Sequence, residues 1–335
     1  MIKVANMNEV DRRVLFMNTA EKMSMHPSIV EKDFWVCYIL DYLFHRCEWQ
    51  KAFVFKGGTS LSKAYHVIDR FSEDIDLILN WNQIGYVTEE VWEEKSKTKQ
   101  DRLNKQMIRD TAVFLRDKFI PTVNSDIRSE IEAPFEMDID VQDEQTVNFM
   151  YPHIFTESHI TYIRPEIRLE IGPLAEWEPH HEEKVESYAA EHYSQFFDQK
   201  STMIRTLDAE RTFWEKATIL HKVAYRDITN PFPQRYARHY YDLYCMHNSR
   251  IKESAFDKKE LLKQDIAFKK KFYMSNHSGY ETAEIGTFKL CPQEGDVQAL
   301  SIDYEQMKGM FFGEIPEFSD LMQGITKLEQ EINGL

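Results

Sequence analysis

The stretch FVFKGGTSLSKAYHVIDRFSEDIDLIL, residues 53–79, decides how this chain is read. Residues 52–56, AFVFK, are apolar and aromatic as in a buried strand, and the run stops at Gly57-Gly58. LSKAYHVI then places Leu61, Ala64, Tyr65 and Ile68 on one face, so a short helix is expected from Ser60 to Ile68, just after Gly58 and Thr59. A glycine turn ahead of a helix presents free backbone N–H groups and the positive end of the helix dipole, the outline of a phosphate cradle. The chain returns as DIDLIL, with Ile75 and Leu77 facing one side and Asp74 and Asp76 the other. The two carboxylates then sit about 7 Å apart along the strand, twice the rise per residue. Acids at that spacing beside an anion-binding loop make chemical sense with a divalent cation between them. Oxygen ligands suit Mg²⁺, which is bound by one or two carboxylates plus substrate phosphates. The plainer alternative is a solvent-facing strand side whose acids pair with Arg70 or a lysine.

Composition narrows the class. A chain of 335 residues is long for one hydrophobic core, and its 42% hydrophobic and 13% aromatic content is ample for burial, which excludes a disordered protein. The four cysteines, Cys37, Cys47, Cys245 and Cys291, are far apart with no CxxC pair, which argues for thiols in a reducing compartment. The first residues, MIKVANMNEVDRRV, lack the apolar stretch of a signal peptide, and no run of about 18 uncharged apolar residues suggests a membrane span. The expectation is a cytoplasmic protein with no membrane partner. The net charge of −15 argues against a broadly basic nucleic-acid binder, yet it is unevenly spread. Residues 201–275 carry 15 Lys/Arg against 9 Asp/Glu, a local excess of +6, so only this stretch is set to attract phosphate, unless its charges simply cover a solvated helix face.

Upstream, SIVEKDFWVCYILDYLFHRC (28–47) spaces Ile29, Phe34, Cys37, Leu40 and Leu43 as a core helix. Ser28 after Pro27 is the expected N-cap, and Glu31 would complete a capping box. Downstream, RTLDAERTFWEKATILHKVAY (205–225) reads as an amphipathic helix, RDITNPFPQR as a proline-stopped loop and YARHYYDLYCMH (236–247) as a further helix. There Arg238 and Asp242 stand at i, i+4, as in a local ion pair. LLKQDIAFKKKFYM (261–274) reads as a basic helix able to track an RNA backbone, and the last helix, PEFSDLMQGITKLEQEI, as an acidic lid on a helical domain. His180-His181 ahead of two glutamates lacks metal-site spacing and is expected at a surface helix start.

The order strand, glycine pair, helix, strand with DxD resembles the signature of polymerase-beta-like nucleotidyltransferases. More narrowly, EKDFWV (31–36), KGGTSLSK (56–63), RFSEDIDL (70–77) and RHYYDLY (238–244) together resemble the AbiEii/AbiGii toxin family, nucleotidyltransferase-like toxins of abortive-infection and type IV toxin–antitoxin systems. The resemblance spans roughly residues 28–250. It implies an α/β (α+β) architecture: a nucleotidyltransferase domain with a mixed sheet, with N-terminal helices, over 1–180, and a mainly helical C-terminal domain over 181–335.

It also implies a site. Asp74 and Asp76 would hold Mg²⁺ while Gly57, Gly58, Thr59, Ser60 and Lys63 cradle the phosphates of an NTP. Such enzymes need a third carboxylate on a neighbouring strand. In ITYIRPEIRLEIGPL (160–174) Glu170 stands near the end of an alternating strand and is the candidate, as metal ligand or as proton acceptor. Asp138 and Asp140 form a second DxD with no glycine turn before it, and are read as an exposed edge strand. The family pairs a lysine with the later aspartate motif, which selects Lys216 for a triphosphate contact, with Arg238 and Asp242 closing the site. The family motif reads R-D-x-x-D-L, and His239 replaces its first acid here. The reaction implied is transfer of an NMP from an NTP to an acceptor hydroxyl, with RNA, through a tRNA 3′ end, as acceptor and a cognate antitoxin as partner. Transfer to a small molecule or a protein remains an alternative, as does a non-catalytic nucleotide-binding module.

Overall fold

The computed structural model describes residues 1–155, 165–273 and 278–335. The chain divides into two compact units: one comprises Met1–Ala64 and Phe71–Leu207, the other Tyr65–Arg70 and Asp208–Leu335. The first unit is α/β and is built on a seven-stranded mixed sheet. Its strands are β1 (Phe53–Lys56), β2 (Asp74–Leu79), β3 (Glu136–Ile139), β4 (Thr146–Met150), β5 (Ile167–Gly172), β6 (His180–Glu186) and β7 (Ser201–Leu207), in the order β3-β4-β5-β2-β1-β7-β6. β2 runs antiparallel to β1 and parallel to β5, and β1 runs parallel to β7.

Alternation gives the central strands one apolar and one acidic face. Phe53, Phe55, Ile75, Leu77, Phe149 and Ile167 share the apolar face by register and are all buried. The helix Pro27–His45 covers that face, with Trp35 packed against Phe149 and Tyr151 at ring separations of 6.2 and 6.1 Å. The helical run from Lys97 to Glu130 brings Phe119 within 5.9 Å of Phe53, and it widens to a π turn at Leu115–Phe119 just ahead of Pro121, whose missing N–H cannot continue the ladder.

Several expectations are corrected here. The helix after β1 begins at Gly57 and ends at Lys63, so it starts three residues earlier and stops five earlier than the apolar spacing implied. His26, not Ser28, caps the helix Pro27–His45, its Nδ1 accepting from the Ser28 N–H with Pro27 in the first turn, and no capping box forms. His180 and His181 lie on strand β6 rather than at a helix start, and β7 extends the sheet to Leu207, where helical periodicity had suggested a helical domain from residue 181. β6, HHEEKVE, is mostly charged or polar, so its period-2 signal is weak.

The second unit is helical. Trp214, Leu220 and Phe213 of the helix Ala209–Ala224 form its buried centre, with Trp214 stacked on Phe256 at 6.2 Å. Leu321, Ile325, Leu328 and Ile332 make the fully buried stripe of the terminal helix Phe318–Asn333, which packs on the helix Ala237–His247. The helix Lys259–Phe272 is less of a basic surface than its composition suggested. Lys263 pairs with Glu260, Lys270 with Glu281, and Lys269 turns inward to Asp265 and the Glu215 carbonyl. The four cysteines are free thiols, and among the described residues no helix is long and apolar enough to cross a membrane.

Glu31 illustrates how the helix Pro27–His45 is tied down. Its buried carboxylate accepts the backbone N–H groups of Ile154 at 2.7 Å and Phe155 at 3.3 Å. Burial outweighs those bonds and the nearby Arg12, and pushes its pKa up to about 7. The folded protein therefore keeps a proton that the unfolded chain, with a glutamate pKa of about 4.3, has released, so stability falls as pH rises between those two values, by on the order of 3 kcal/mol. Glu31→Gln removes the titration and keeps an acceptor. Urea unfolding of the variant from pH 4.5 to 7.5 is expected to show a flatter stability profile than the wild type.

Candidate active site

The strand register assembles five charged side chains on one sheet face. Asp74 lies opposite Arg168 and Asp76 opposite Glu170 on the parallel neighbour β5, while Lys56 lies opposite Asp76 on β1. Asp74, Asp76 and Glu170, the three carboxylates expected to act together, thus come from adjacent strands and point the same way. The Arg70 guanidinium pairs with Asp242 within the second unit, while Lys56, opposite Asp76, and Arg168, opposite Asp74, are cations on the acids' own face.

Gly57 forms the rim of this face. Its φ of +79° is in the left-handed region, and a Cβ placed there would lie 1.9 Å from the Asp76 Oδ2. Only glycine meets both demands, a positive φ and the approach of the Asp76 carboxylate to the backbone. The helix Gly57–Lys63 continues from it. The hydroxyl of Thr59, fully buried, donates to the Asp74 carbonyl, and the Ser60 hydroxyl donates to the Gly57 carbonyl at 2.8 Å. Both hydroxyls are turned to backbone and shape the turn, whereas Gly57 and Gly58 are half-buried.

Lys63 is placed differently from its expected role. Its ammonium is 2.7 Å from the Asp33 carboxylate and 3.9 Å from the centre of the Tyr188 ring, and is 4% exposed. Burial pushes its pKa down, but Asp33 outweighs that and holds it above the usual lysine range. A lysine committed to this buried pair is an internal strut and not a free phosphate contact.

Arg168 escaped the sequence reading as a site residue. Its Nε is 3.9 Å from both the Asp74 Oδ1 and the Glu170 Oε1, and its Nη1 donates to Asp140 at 2.8 Å. The same Asp140 carboxylate accepts from the Gln142 N–H, and with Arg168 and Asn148 these bonds lower its pKa to about 2. Asp138 is exposed on edge strand β3, yet Asp140, just beyond that strand, anchors the arginine between two of the site carboxylates. The clue in the sequence was the alternation Arg168, Glu170, which puts both on the face of the acids, but only the register of β5 on β2 makes them neighbours of Asp74 and Asp76.

The fit to a metal is partial. Among the described residues no group of three or more His, Cys, Asp or Glu side chains gathers as a ready cation site. Asp74 and Asp76 offer hard oxygens from two carboxylates, the minimum that Mg²⁺ uses when phosphates complete its shell. Arg168 stands between Asp74 and Glu170, so the aspartate pair fits a cation better than all three acids do.

The remaining expected residues lie in the second unit. Asp242, fully buried, takes the Arg70 guanidinium through two bonds of 2.7 and 2.8 Å and the Lys216 ammonium at 2.7 Å. Burial would raise the pKa of Asp242, but the two cations more than offset it and keep the carboxylate ionised. Lys216 is pushed down by burial and by Arg70 and Arg238, against the pull of Asp242. Arg238 is one turn from Asp242 on the same helix, and His239, where the family motif has an acid, is driven well below the usual histidine range by burial and by Lys216 and Arg238, so it stays neutral at pH 7.

A family model described as nucleotidyl transferase AbiEii toxin, type IV TA system, matches residues 39–324. The chain belongs to this AbiEii nucleotidyl transferase toxin family, with nucleotidyl transfer as its chemistry and an antitoxin as its implied partner. Among solved structures it is similar to JHP933 from Helicobacter pylori, with 14% identity, a TM-score of 0.44 and coverage of 91% of this chain and 92% of that one. It is similar too to the nucleotidyltransferase toxin MenT4 from Mycobacterium tuberculosis, with 13% identity, a TM-score of 0.41 and coverage of 95% and 97%. No curated protein matches the sequence.

Three substitutions check this geometry. Gly57→Ala is expected to destabilise the protein, and Asp76→Ala in the same background to recover part of the loss because it removes the carboxylate the new Cβ would strike. Equal losses with and without Asp76 in a double-mutant cycle would refute the contact. Asp242→Ala strands two buried cations and is expected to cost about 3–5 kcal/mol in denaturant unfolding.

Proposed function

We propose that this toxin transfers a nucleoside monophosphate from an NTP to a hydroxyl of RNA, at a tRNA 3′ end, with Mg²⁺ held by Asp74 and Asp76. The observation that carries the reading is the carboxylate pair on one strand face, with the Asp76 carboxylate closing against the left-handed Gly57 at the start of a helix. Bound between the aspartates and the triphosphate, Mg²⁺ would supply charge neutralisation for the phosphates and the leaving pyrophosphate.

The chain itself supplies orientation and proton handling. The N–H groups of Gly57 and Gly58 open the helix and would bind phosphate oxygens. Glu170, opposite Asp76 and more exposed than Asp74 (40% against 12% for the side chains), is the carboxylate assigned to take the proton as the acceptor hydroxyl attacks the α-phosphorus. Arg168 keeps these acids apart and offers a positive charge at the edge of the phosphates. The α–β phosphoanhydride bond breaks and pyrophosphate departs as the new ester forms.

One observation favours a different acceptor, a protein or small molecule: the lysines of the helix Lys259–Phe272 are largely paired with acids, and the net charge is −15. Salt separates the two readings, because neutralising RNA phosphates releases counterions and makes binding steeply salt-dependent, whereas a neutral acceptor gives a flat profile.

The direct test incubates purified protein with each of the four α-³²P NTPs, Mg²⁺ and total RNA on a denaturing gel. Label on a tRNA-sized band is expected with the wild type, abolished by EDTA, restored by Mg²⁺, and reduced about 1,000-fold or more in Asp74→Asn/Asp76→Asn. Label that never enters RNA would move the acceptor to protein or small molecule. Retained cell toxicity in Asp76→Asn would point to the nucleotide-binding module.

A further inference from the structure

The helix Pro27–His45 carries three consecutive charged residues, Glu31, Lys32 and Asp33, each about 1% exposed. Successive helical residues point roughly 100° apart, so each reaches a different part of the unit. Lys32 Nζ meets Glu73 Oε2 at 2.7 Å, with both side chains buried, and Glu73 is the residue immediately before Asp74. Asp33 meets Lys63, the last residue of the helix that Gly57 opens, at 2.7 Å, and also accepts the Tyr188 N–H at 2.7 Å. The two attachments are joined on their far side, since the Thr59 hydroxyl of that helix donates to the Asp74 carbonyl.

Buried ion pairs are poor stabilisers. Their desolvation roughly cancels their attraction, and apolar replacements of similar volume are often neutral or stabilising. Two such pairs side by side on one helix, one gripping the residue before Asp74 and the other the end of the Gly57–Lys63 helix, are better explained by orientation than by stability. We propose that Lys32 and Asp33 are positioning residues, which hold Asp74 and the glycine turn in register through Glu73 and Lys63 without touching nucleotide or acceptor. This rests on the nucleotidyl-transfer reading for its catalytic readout only.

The test replaces each pair as a unit, Lys32→Met with Glu73→Leu and, separately, Asp33→Asn with Lys63→Met, where the asparagine oxygen still accepts the Tyr188 N–H. Three quantities are measured on the full chain: Tm, kcat and KM for the NTP, and hydrogen–deuterium exchange over residues 57–63 and 74–79. The expected result is a Tm at or above that of the wild type, kcat lower by about 10- to 100-fold with KM little changed, and faster exchange confined to those two segments. Wild-type kcat and wild-type exchange in both double variants would overturn the proposal. So would a Tm that falls in step with activity, since that marks a merely structural role. If the wild type transfers no label at all, the nucleotidyl-transfer reading fails by that result, and the exchange pattern at unchanged Tm still decides whether the pairs hold these segments.

Discussion

The first unit depends on a close approach: the Asp76 carboxylate occupies the space that any side chain at position 57 would need. A strand carrying an acid toward a neighbouring backbone needs that backbone to yield room, and Gly57 does so through its missing Cβ and its positive φ. Around this point the register of three strands follows, because Lys56, Asp76 and Glu170 lie opposite one another across β1, β2 and β5. The polar face is tolerable because the other face of the same strands is wholly apolar and is covered by the helix Pro27–His45.

Electrostatics then separate into two arrangements, each within its own unit. In the first, acids gather on a sheet face and Arg168, anchored by Asp140, tempers their repulsion. In the second, one buried carboxylate, Asp242, serves two cations, Arg70 and Lys216, and its ionisation is secured by both. The peptide 70–76 contributes to both arrangements: Arg70 to the cation pair, Asp74 and Asp76 to the acidic face.

Much of the acidic face was legible beforehand. Alternation in DIDLIL put Asp74 and Asp76 on one side, and alternation in IRLEIG put Glu170 on the same side as Arg168. Both are local consequences of a period of two. Other features were not legible. The His180-His181 segment looked like a helix start but pairs with β7, since partner strands override weak local propensity. Lys63, eleven residues before Asp74, is drawn into a pair with Asp33, thirty residues earlier. Lys269 in a basic run faces inward to the Glu215 carbonyl on another helix. In each case a distant partner decides where a flexible charged side chain ends, and no spacing rule encodes that partner.

The sequence by itself carried the family resemblance, through four motifs in order, and determined the glycine turn and that Asp74 and Asp76 share a face, because the last two follow from backbone stereochemistry and the pleat within a few residues of chain. The tertiary structure alone decided which cation each buried acid meets: Lys32 with Glu73, Lys63 with Asp33, Arg168 with Asp140, and Arg70 and Lys216 with Asp242. A buried charge must find a counter-charge wherever the packing brings one. That requirement is met by contacts between segments far apart in sequence, so it is settled only once the chain has folded.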